Sequence, residues 1–271
     1  MGQLTKLYEV LSRLFESRDI DRSDLDWIIV EVLKIKRSEL KIDRQLSVKE
    51  IRKIYKLAKK RYKGKPLSQV LKKSSFYGLD FYVNKNCLSP RPETELLVEA
   101  VINGDSGNVG LDIGTGSGAI AITLSELAGK DMTAVDISNK ALKVARKNAK
   151  QHKQDIGFIK SNLFSRVPKT MFDFIVSNPP YIKTIDIQNL DVEVKNHEPL
   201  AALDGGETGL DFYKKIIEQS VAYLKSGGHI YFELGIGQSG DVRAFLEKDF
   251  KDIKIIKDYN KIDRIIKATK K

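Results

Sequence analysis

From Val109 onward, short apolar runs alternate with stretches of helical periodicity. The runs predict strands over 109–113, 131–136, 156–160, 171–177, 228–234, 252–256 and 262–267. The stretches predict helices near 117–128, 138–151, 208–224 and 238–247. A strand that follows a helix pairs in parallel with the strand before it, and the helix covers one face of the sheet. The alternation therefore predicts an α/β fold, a seven-stranded, mostly parallel sheet with helices on both sides. The last two strands are separated only by Asp258-Tyr259-Asn260-Lys261. A gap that short predicts an antiparallel hairpin at one edge of the sheet.

The first 75 residues read differently. Leu4, Leu7, Val10, Leu11 and Leu14 recur at helical spacing, as do Leu25, Ile28, Ile29, Val32 and Leu33. A third helix is expected from Ser47, because Glu50 three residues on completes a capping box. Its apolar stripe reads Ile51, Ile54, Tyr55 and Ala58, and Gly64-Lys65-Pro66 ends it. Residues 1–75 are thus expected to form a small helical bundle. Residues 76–95 read as a connector, a hairpin over Phe76–Leu88 followed by Pro90-Arg91-Pro92-Glu93-Thr94-Glu95, with an apolar helix from Leu96 to Ile102. Residues 96–271 are the large domain.

Two loops at strand ends carry the chemistry. Strand 109–113 runs into Gly114-Thr115-Gly116-Ser117-Gly118 and then a helix. Glycines there let the chain turn sharply and let a ligand lie against main-chain atoms. Asp136 ends the next strand, 22 positions after Gly114. That separation suits a carboxylate that accepts both hydroxyls of a ribose. Asn162 and Leu163 follow the third strand, where a nucleoside base is expected. A polar side chain would meet the base's amino group there, and Leu163 would cover its ring. Asp112 is expected to approach the far end of the same ligand. The loop also satisfies G-x-G-x-x-A from Gly114 to Ala119, so a dinucleotide-dependent dehydrogenase competes on this motif alone.

The second loop is Asn178-Pro179-Pro180-Tyr181, at the carboxyl end of strand 171–177. Asn178 is held out of the right-handed helical region by the proline after it. Pro179 and Pro180 have fixed φ and no N–H. The segment is a stiff clip of backbone carbonyls, one amide and one aromatic ring. Such a clip suits a planar –NH2 group, and a hydride-transfer site has no need of it. The clip and the glycine loop together favour methyl transfer to nitrogen.

The net charge of +11 is unevenly spread. Residues 1–75 hold 20 Lys/Arg and 10 Asp/Glu, and the rest of the chain holds 27 and 26. Between Lys49 and Lys73 there are 11 basic residues and one acid. This stretch is either a solvated helix face or a docking surface for an acidic or nucleic-acid-containing partner. With only Tyr55 and Tyr62 interleaved, base-specific reading has little support. No apolar run approaches the roughly 18 residues that span a bilayer, so no membrane association is expected. Cys87 is the single cysteine, which excludes an internal disulfide and fits the cytoplasm. The three scattered histidines make no metal cluster with it, and no metal is expected.

Together these residues resemble class I S-adenosylmethionine-dependent methyltransferases that modify amide or exocyclic amino nitrogens. Within that class the chain is similar to the bacterial release factor glutamine methyltransferase family. The resemblance takes in the helical N-terminus, Pro90–Glu95, the glycine loop, Asp136 and Ser177–Ile182. It continues through His197-Glu198-Pro199, Ala202-Leu203-Asp204-Gly205-Gly206 and Gly209-Leu210. Asn162 and Leu163 depart from it, since the family usually has Asp and an aromatic there. The resemblance implies a Rossmann-like methyltransferase domain behind a substrate-recognition domain. It implies S-adenosylmethionine as cofactor, S-adenosylhomocysteine as product, and no metal. The acceptor it implies is the glutamine of the Gly-Gly-Gln motif in class I peptide chain release factors. Gly114, Thr115, Gly116, Ser117, Gly118, Asp136, Leu163 and Asn178 would bind the cofactor. Asn178, Pro179, Pro180 and Tyr181 would hold the acceptor, with Asn178, Pro179 and Tyr181 acting in the reaction. Glu93 and Glu198 are either walls of the acceptor pocket or surface carboxylates. The clip is shared with DNA adenine and RNA guanine methyltransferases, and the glutamine chemistry with a sister family acting on a ribosomal protein. Those alternatives, and a cofactor-binding adaptor that docks RNA, stand beside the main reading.

Overall fold

The computed structural model describes residues 2–271 and divides into two compact units. One comprises the chain to Lys73 together with Val192–His197. The other comprises Ser74–Asp191 and Glu198–Lys271.

The first unit contains α1 (Gln3–Glu16), α2 (Arg22–Leu33), α3 (Val48–Tyr62) and α4 (Leu67–Leu71). Leu4, Leu7, Leu11 and Phe15 of α1 meet Leu25, Ile28, Ile29 and Val32 of α2 and Ile54 and Ala58 of α3 in one core. That stripe runs at i, i+3/i+4. Val10 and Leu14, expected in it, lie off its axis and are 56% and 36% exposed. Tyr55 is likewise 45% exposed, and the buried face of α3 runs through Ile54, Ala58 and Arg61. The capping box is present: the Ser47 hydroxyl accepts from Glu50 N, and Glu50 accepts from Ser47 N at 2.7 Å. Arg61 is buried between the carboxylates of Asp24 and Glu193, so two opposite charges offset its desolvation.

The second unit begins with β1 (Lys73–Phe76) and β2 (Leu79–Tyr82). Their hairpin turns at Tyr77-Gly78, both with positive φ, and not at Asn84-Lys85-Asn86. Next comes α5 (Pro92–Ile102). It starts at Pro92 rather than Leu96, because a proline at the first helical position has its φ preset and no N–H to leave unsatisfied. The large sheet and its helices follow in the order β3 (Val109–Ile113), α6 (Ala119–Ala128), β4 (Asp131–Asp136), α7 (Asn139–His152), β5 (Gly157–Lys160) and β6 (Phe172–Ser177). After β6 the chain passes through α8 (Val192–His197), which belongs to the first unit, and then forms α9 (Asp211–Ser220), β7 (Leu224–Glu233), α10 (Ser239–Leu246), β8 (Phe250–Lys257) and β9 (Asp263–Lys270).

The strand order is β5-β4-β3-β6-β7-β9-β8. The first five positions pair in parallel, and β9 runs antiparallel to both its neighbours. The expected edge hairpin is present, and its second strand is the one that lies inside the sheet. Side chains alternate across the sheet. Leu111, Ile113, Ile230 and Phe232 pack with Tyr213, Ile216, Val242 and Leu246 of α9 and α10. Phe174, Val176 and Tyr231 pack on the other face with Leu97, Val101, Ile120 and Leu124 of α5 and α6.

The chain leaves β3 toward β4 on one side and returns to β6 on the other. Ligands settle in such a switch point, outside the carboxyl ends of the strands. The register makes this concrete. Val135 is paired with Ile113, Ile113 with Ser177, and Ser177 with Phe232. One residue beyond that row stand Asp136, Gly114, Asn178 and Glu233.

Candidate active site

The glycine loop is fastened to the sheet before any ligand arrives. The N–H groups of Gly114 and Thr115 both donate to Val135 O, at 2.9 and 3.0 Å. Asp136 ties the loop from the neighbouring strand. Its Oδ2 accepts from Gly116 N at 2.9 Å and its Oδ1 from Ser138 N at 2.8 Å. Burial raises the Asp136 pKa against the pull of those two N–H groups. Each carboxylate oxygen keeps a second lone pair for an incoming hydroxyl.

The three glycines serve different ends. Gly114 and Gly116 have φ of +76° and +56°, and a Cβ on Gly114 would meet nothing within 4 Å. Those two face open space. A Cβ on Gly118 would come within 2.9 Å of Ile122 and 3.2 Å of Ala145, so this glycine lets α6 and α7 close together.

Behind the loop, Asp112 is fully buried, and neither carboxylate oxygen has a full hydrogen-bond partner, although the Thr115 hydroxyl and the Ala121 N–H lie near enough to pull its pKa down against burial. The buried Thr115 hydroxyl is also unpartnered. Burial pushes the Asp112 carboxyl up to about 7. A buried acceptor-only group without a donor is an unfilled half of a contact. An amino group, or another N–H donor, is the kind of group that would satisfy it. Asn162 is exposed, and Leu163 packs on the core of the sheet with a left-handed φ of 49°.

The clip is built from behind. Its backbone continues into a parallel bridge in which Ile182 N donates to Leu203 O and Gly205 N donates to Ile182 O. A Cβ on Gly205 would sit 2.8 Å from Pro180 O and from Tyr181 Cα. Gln238 Nε2 donates to Tyr181 O at 3.0 Å and to Gly209 O at 3.2 Å, while its Oε1 accepts from Gly235 N. So Leu203–Gly206 and Gly209 form the clip's backing.

Two side chains that touch the clip, Thr94 and Glu233, have no role of their own in the sequence reading. Asn178 Nδ2 donates to Thr94 Oγ1 at 3.1 Å, and Thr94 Oγ1 donates to Glu233 Oε2 at 2.6 Å. Tyr181 OH donates to Glu233 Oε1 at 3.4 Å. Glu233 is the last residue of β7 and is only 2% exposed. The one available signal was a carboxylate at a strand's carboxyl end, the same place as Asp136. Burial raises the Tyr181 phenol well above its ordinary value, and the charge of Glu233 adds to this. Glu198 is buried too, with Oε1 accepting from Arg91 at 2.8 Å, and burial raises its pKa. It is therefore not a surface carboxylate; it anchors the Pro90–Glu95 stretch. Among the described residues no group of three or more His, Cys, Asp or Glu could hold a metal ion, and no helix is long and apolar enough to cross a membrane.

Residues 92–196 match the family model described as "Methyltransferase small domain". A release factor glutamine methyltransferase of Fusobacterium nucleatum is 41% identical over 260 residues, covering 91% of this chain and 73% of the relative. One of Thermodesulfovibrio yellowstonii is 36% identical, covering 98% of this chain and 97% of the relative. Among solved structures, a methyltransferase from Pyrococcus furiosus superposes with a TM-score of 0.56 at 22% identity, over 72% of this chain and 90% of that one.

Proposed function

The chain belongs to the release factor glutamine methyltransferase family, and from that premise we propose how its own residues carry out the reaction. The protein is an enzyme of the class I methyltransferase fold that methylates a release-factor glutamine on its side-chain amide nitrogen, with S-adenosylmethionine as donor. The acceptor we assign is the glutamine of the Gly-Gly-Gln motif in class I release factors.

The observation that carries the reading is the aligned row of strand ends. It puts Asp136, Gly114, Asn178 and Glu233 side by side on four adjacent strands. Neighbouring strands lie about 4.8 Å apart, so a donor along the glycine loop lies one strand from the clip. The site fits S-adenosylmethionine. Asp136 receives the ribose hydroxyls, Gly114 to Gly118 border the donor, and Asp112 with the Thr115 hydroxyl answers its amino-acid end. Leu163 borders the adenine. When bound, the cofactor supplies a sulfonium methyl electrophilic enough for an amide nitrogen.

A carboxamide nitrogen is a weak nucleophile, because its lone pair is delocalised into the carbonyl. The protein's task is therefore positioning and charge stabilisation. The Asn178 Nδ2 is already engaged by Thr94, which leaves its Oδ1 for one N–H of the acceptor. The Pro179 carbonyl takes the other. Both contacts strengthen as the nitrogen becomes positive, so they favour the transition state over the ground state. Pro180 stiffens the clip, and the Tyr181 ring offers a π face to the cationic centre. Positioning of this kind can supply roughly 7–11 kcal/mol.

We place the reaction in the cytoplasm; the one cysteine, Cys87, is buried and unpaired, which suits a reducing compartment. We also assign the basic face of α3 to docking of the release factor. Lys49, Arg52, Lys53, Lys56, Lys59, Lys60 and Lys63 are exposed on it.

The test is transfer of a radiolabelled methyl group to purified release factor, to the same factor with its Gly-Gly-Gln glutamine replaced, and to bulk DNA or RNA. Label on the intact factor alone is expected. Label on nucleic acid with none on the factor overturns the assignment.

A further inference from the structure

The Asn178 amide matters only if its oxygen, and not its nitrogen, faces the acceptor. An amide can turn over by half a rotation with little change in shape. Something must hold it.

The hydrogen-bond chain on the site's inner wall does so by proton counting. A threonine hydroxyl has one hydrogen. Thr94 gives it to Glu233 Oε2 at 2.6 Å, so toward Asn178 it can only accept. The group 3.1 Å away must then be the amide nitrogen. Turning the amide over would set Oδ1 against the hydroxyl's lone pairs. Only a proton on Glu233 could reverse the hydroxyl. The other carboxylate oxygen takes the Tyr181 hydroxyl at 3.4 Å. Thus a single side chain on β7 touches the clip at both ends, through Thr94 of α5 and through Tyr181 directly.

We propose that Glu233 is a positioning residue which, through Thr94, fixes the Asn178 amide with its oxygen toward the acceptor and braces Tyr181 at the same time. This rests on the reading that Asn178 receives an acceptor N–H.

The charged and titratable groups around Glu233 are few. Arg264 on β9 donates to the neighbouring Leu234 O at 3.3 Å and favours the ionised carboxylate. Glu93 on α5 disfavours it. Tyr181 faces its side chain, and the Tyr213 hydroxyl of α9 donates to its backbone oxygen at 2.8 Å. Burial dominates and pushes the Glu233 carboxyl up to about 7, with the Thr94 hydroxyl pulling the other way. The folded pKa of this acid is raised, so the ionised form that sets the chain prevails above that value. Correct orientation is lost as the pH falls through it.

The experiment uses the full chain with purified release factor and follows kcat and KM from about pH 6 to about pH 9. Thr94→Val keeps the shape and removes the hydroxyl. It should lower kcat about 10- to 100-fold with little change in donor KM, and it should abolish the fall in kcat below about pH 7. Thr94→Ser keeps the hydroxyl and should return most of the loss, together with the acid limb. Glu233→Gln should be slow and without that limb. A second measurement needs no turnover. The side-chain 15N–1H signals of Asn178 should shift with a midpoint near pH 7 in the wild type and stop shifting in Thr94→Val and Glu233→Gln. A Thr94→Val enzyme with wild-type kcat and acid limb overturns the proposal, as do Asn178 signals indifferent to pH. A wild type that shows the Asn178 titration but leaves the release factor unlabelled supports the relay and removes the functional reading instead.

Discussion

Asp112→Asn should make the protein more stable and less able to bind its cofactor, and the structure sets the size of the effect. Asp112 is fully buried with both oxygens unpartnered. Its carboxyl is raised from its ordinary 3.8 to about 7, which corresponds to about 4 kcal/mol of penalty on the ionised form. For an acid with a raised folded pKa, the native state holds the proton that the unfolded state has already released. Stability therefore falls as pH rises from the unfolded value to the folded one. The penalty amounts to roughly 1.5 kcal/mol near pH 5 and is complete above about pH 7. The asparagine brings no charge, but it leaves its own buried amide unpartnered at about 1–2 kcal/mol. The variant should match the wild type near pH 5 and exceed it by about 2–3 kcal/mol near pH 8. Calorimetry of the cofactor-free proteins reads this as a rise in Tm of about 4–8 °C at the higher pH. If Asp112 meets the cofactor's amino group as proposed, adding S-adenosylmethionine should reverse the order, because only the wild type keeps the carboxylate. A variant no more stable than wild type near pH 8, or an advantage that does not change with pH, refutes the argument that burial of Asp112 outweighs the donors near it.

The remaining predictions concern single links of the site. Asn178→Ala should reduce kcat by about 10²–10³ while calorimetric affinity for the cofactor stays unchanged; near-normal turnover removes Asn178 from the reaction. Asp136→Ala removes an expected ribose acceptor and also frees Gly116 and Ser138, so cofactor Kd should rise at least tenfold, by about 1.4 kcal/mol or more. Gly118→Ala puts a Cβ against Ile122 and Ala145 at a φ of +83° and should destabilise the fold by about 1–3 kcal/mol, read in a thermal melt. Reversing the charge of Lys53, Lys56, Lys60 and Lys63 together should raise KM for whole release factor at low salt, where exposed charges are least screened; a flat KM makes that face merely solvated.

The sheet was readable in advance because each strand and helix carries its own period. Where edges moved, local chemistry hid them. β7 begins at Leu224 and not at 228, since Lys225-Ser226-Gly227-Gly228 has no apolar alternation to mark it. Helix α5 reaches back to Pro92, into what read as a connector. The glycine loop and the clip were visible because each is contiguous, and Asp136 because it ends the next strand at a set distance from Gly114. The wall behind them was not. Thr94 lies in the quoted Pro90–Glu95 stretch, but its partner Glu233 is 139 residues away, so the pairing could not be read locally. Gln238, which holds the Tyr181 carbonyl, is a solvent-like residue at the start of α10 until the fold turns it inward. The buried state of Glu198 was equally hidden, since its partner Arg91 lies 107 positions away.

The row Val135–Ile113–Ser177–Phe232 works as a ruler. Distances across it are set by the hydrogen-bonded spacing of strands, about 4.8 Å a step, and no side-chain substitution stretches a step. The separation between Asp136 and Asn178 is therefore a whole number of strands and cannot drift by fractions. A descendant of this chain that turned to a bulkier acceptor would keep that separation. It would find room in the side chains that follow the strand ends and not in the spacing between them.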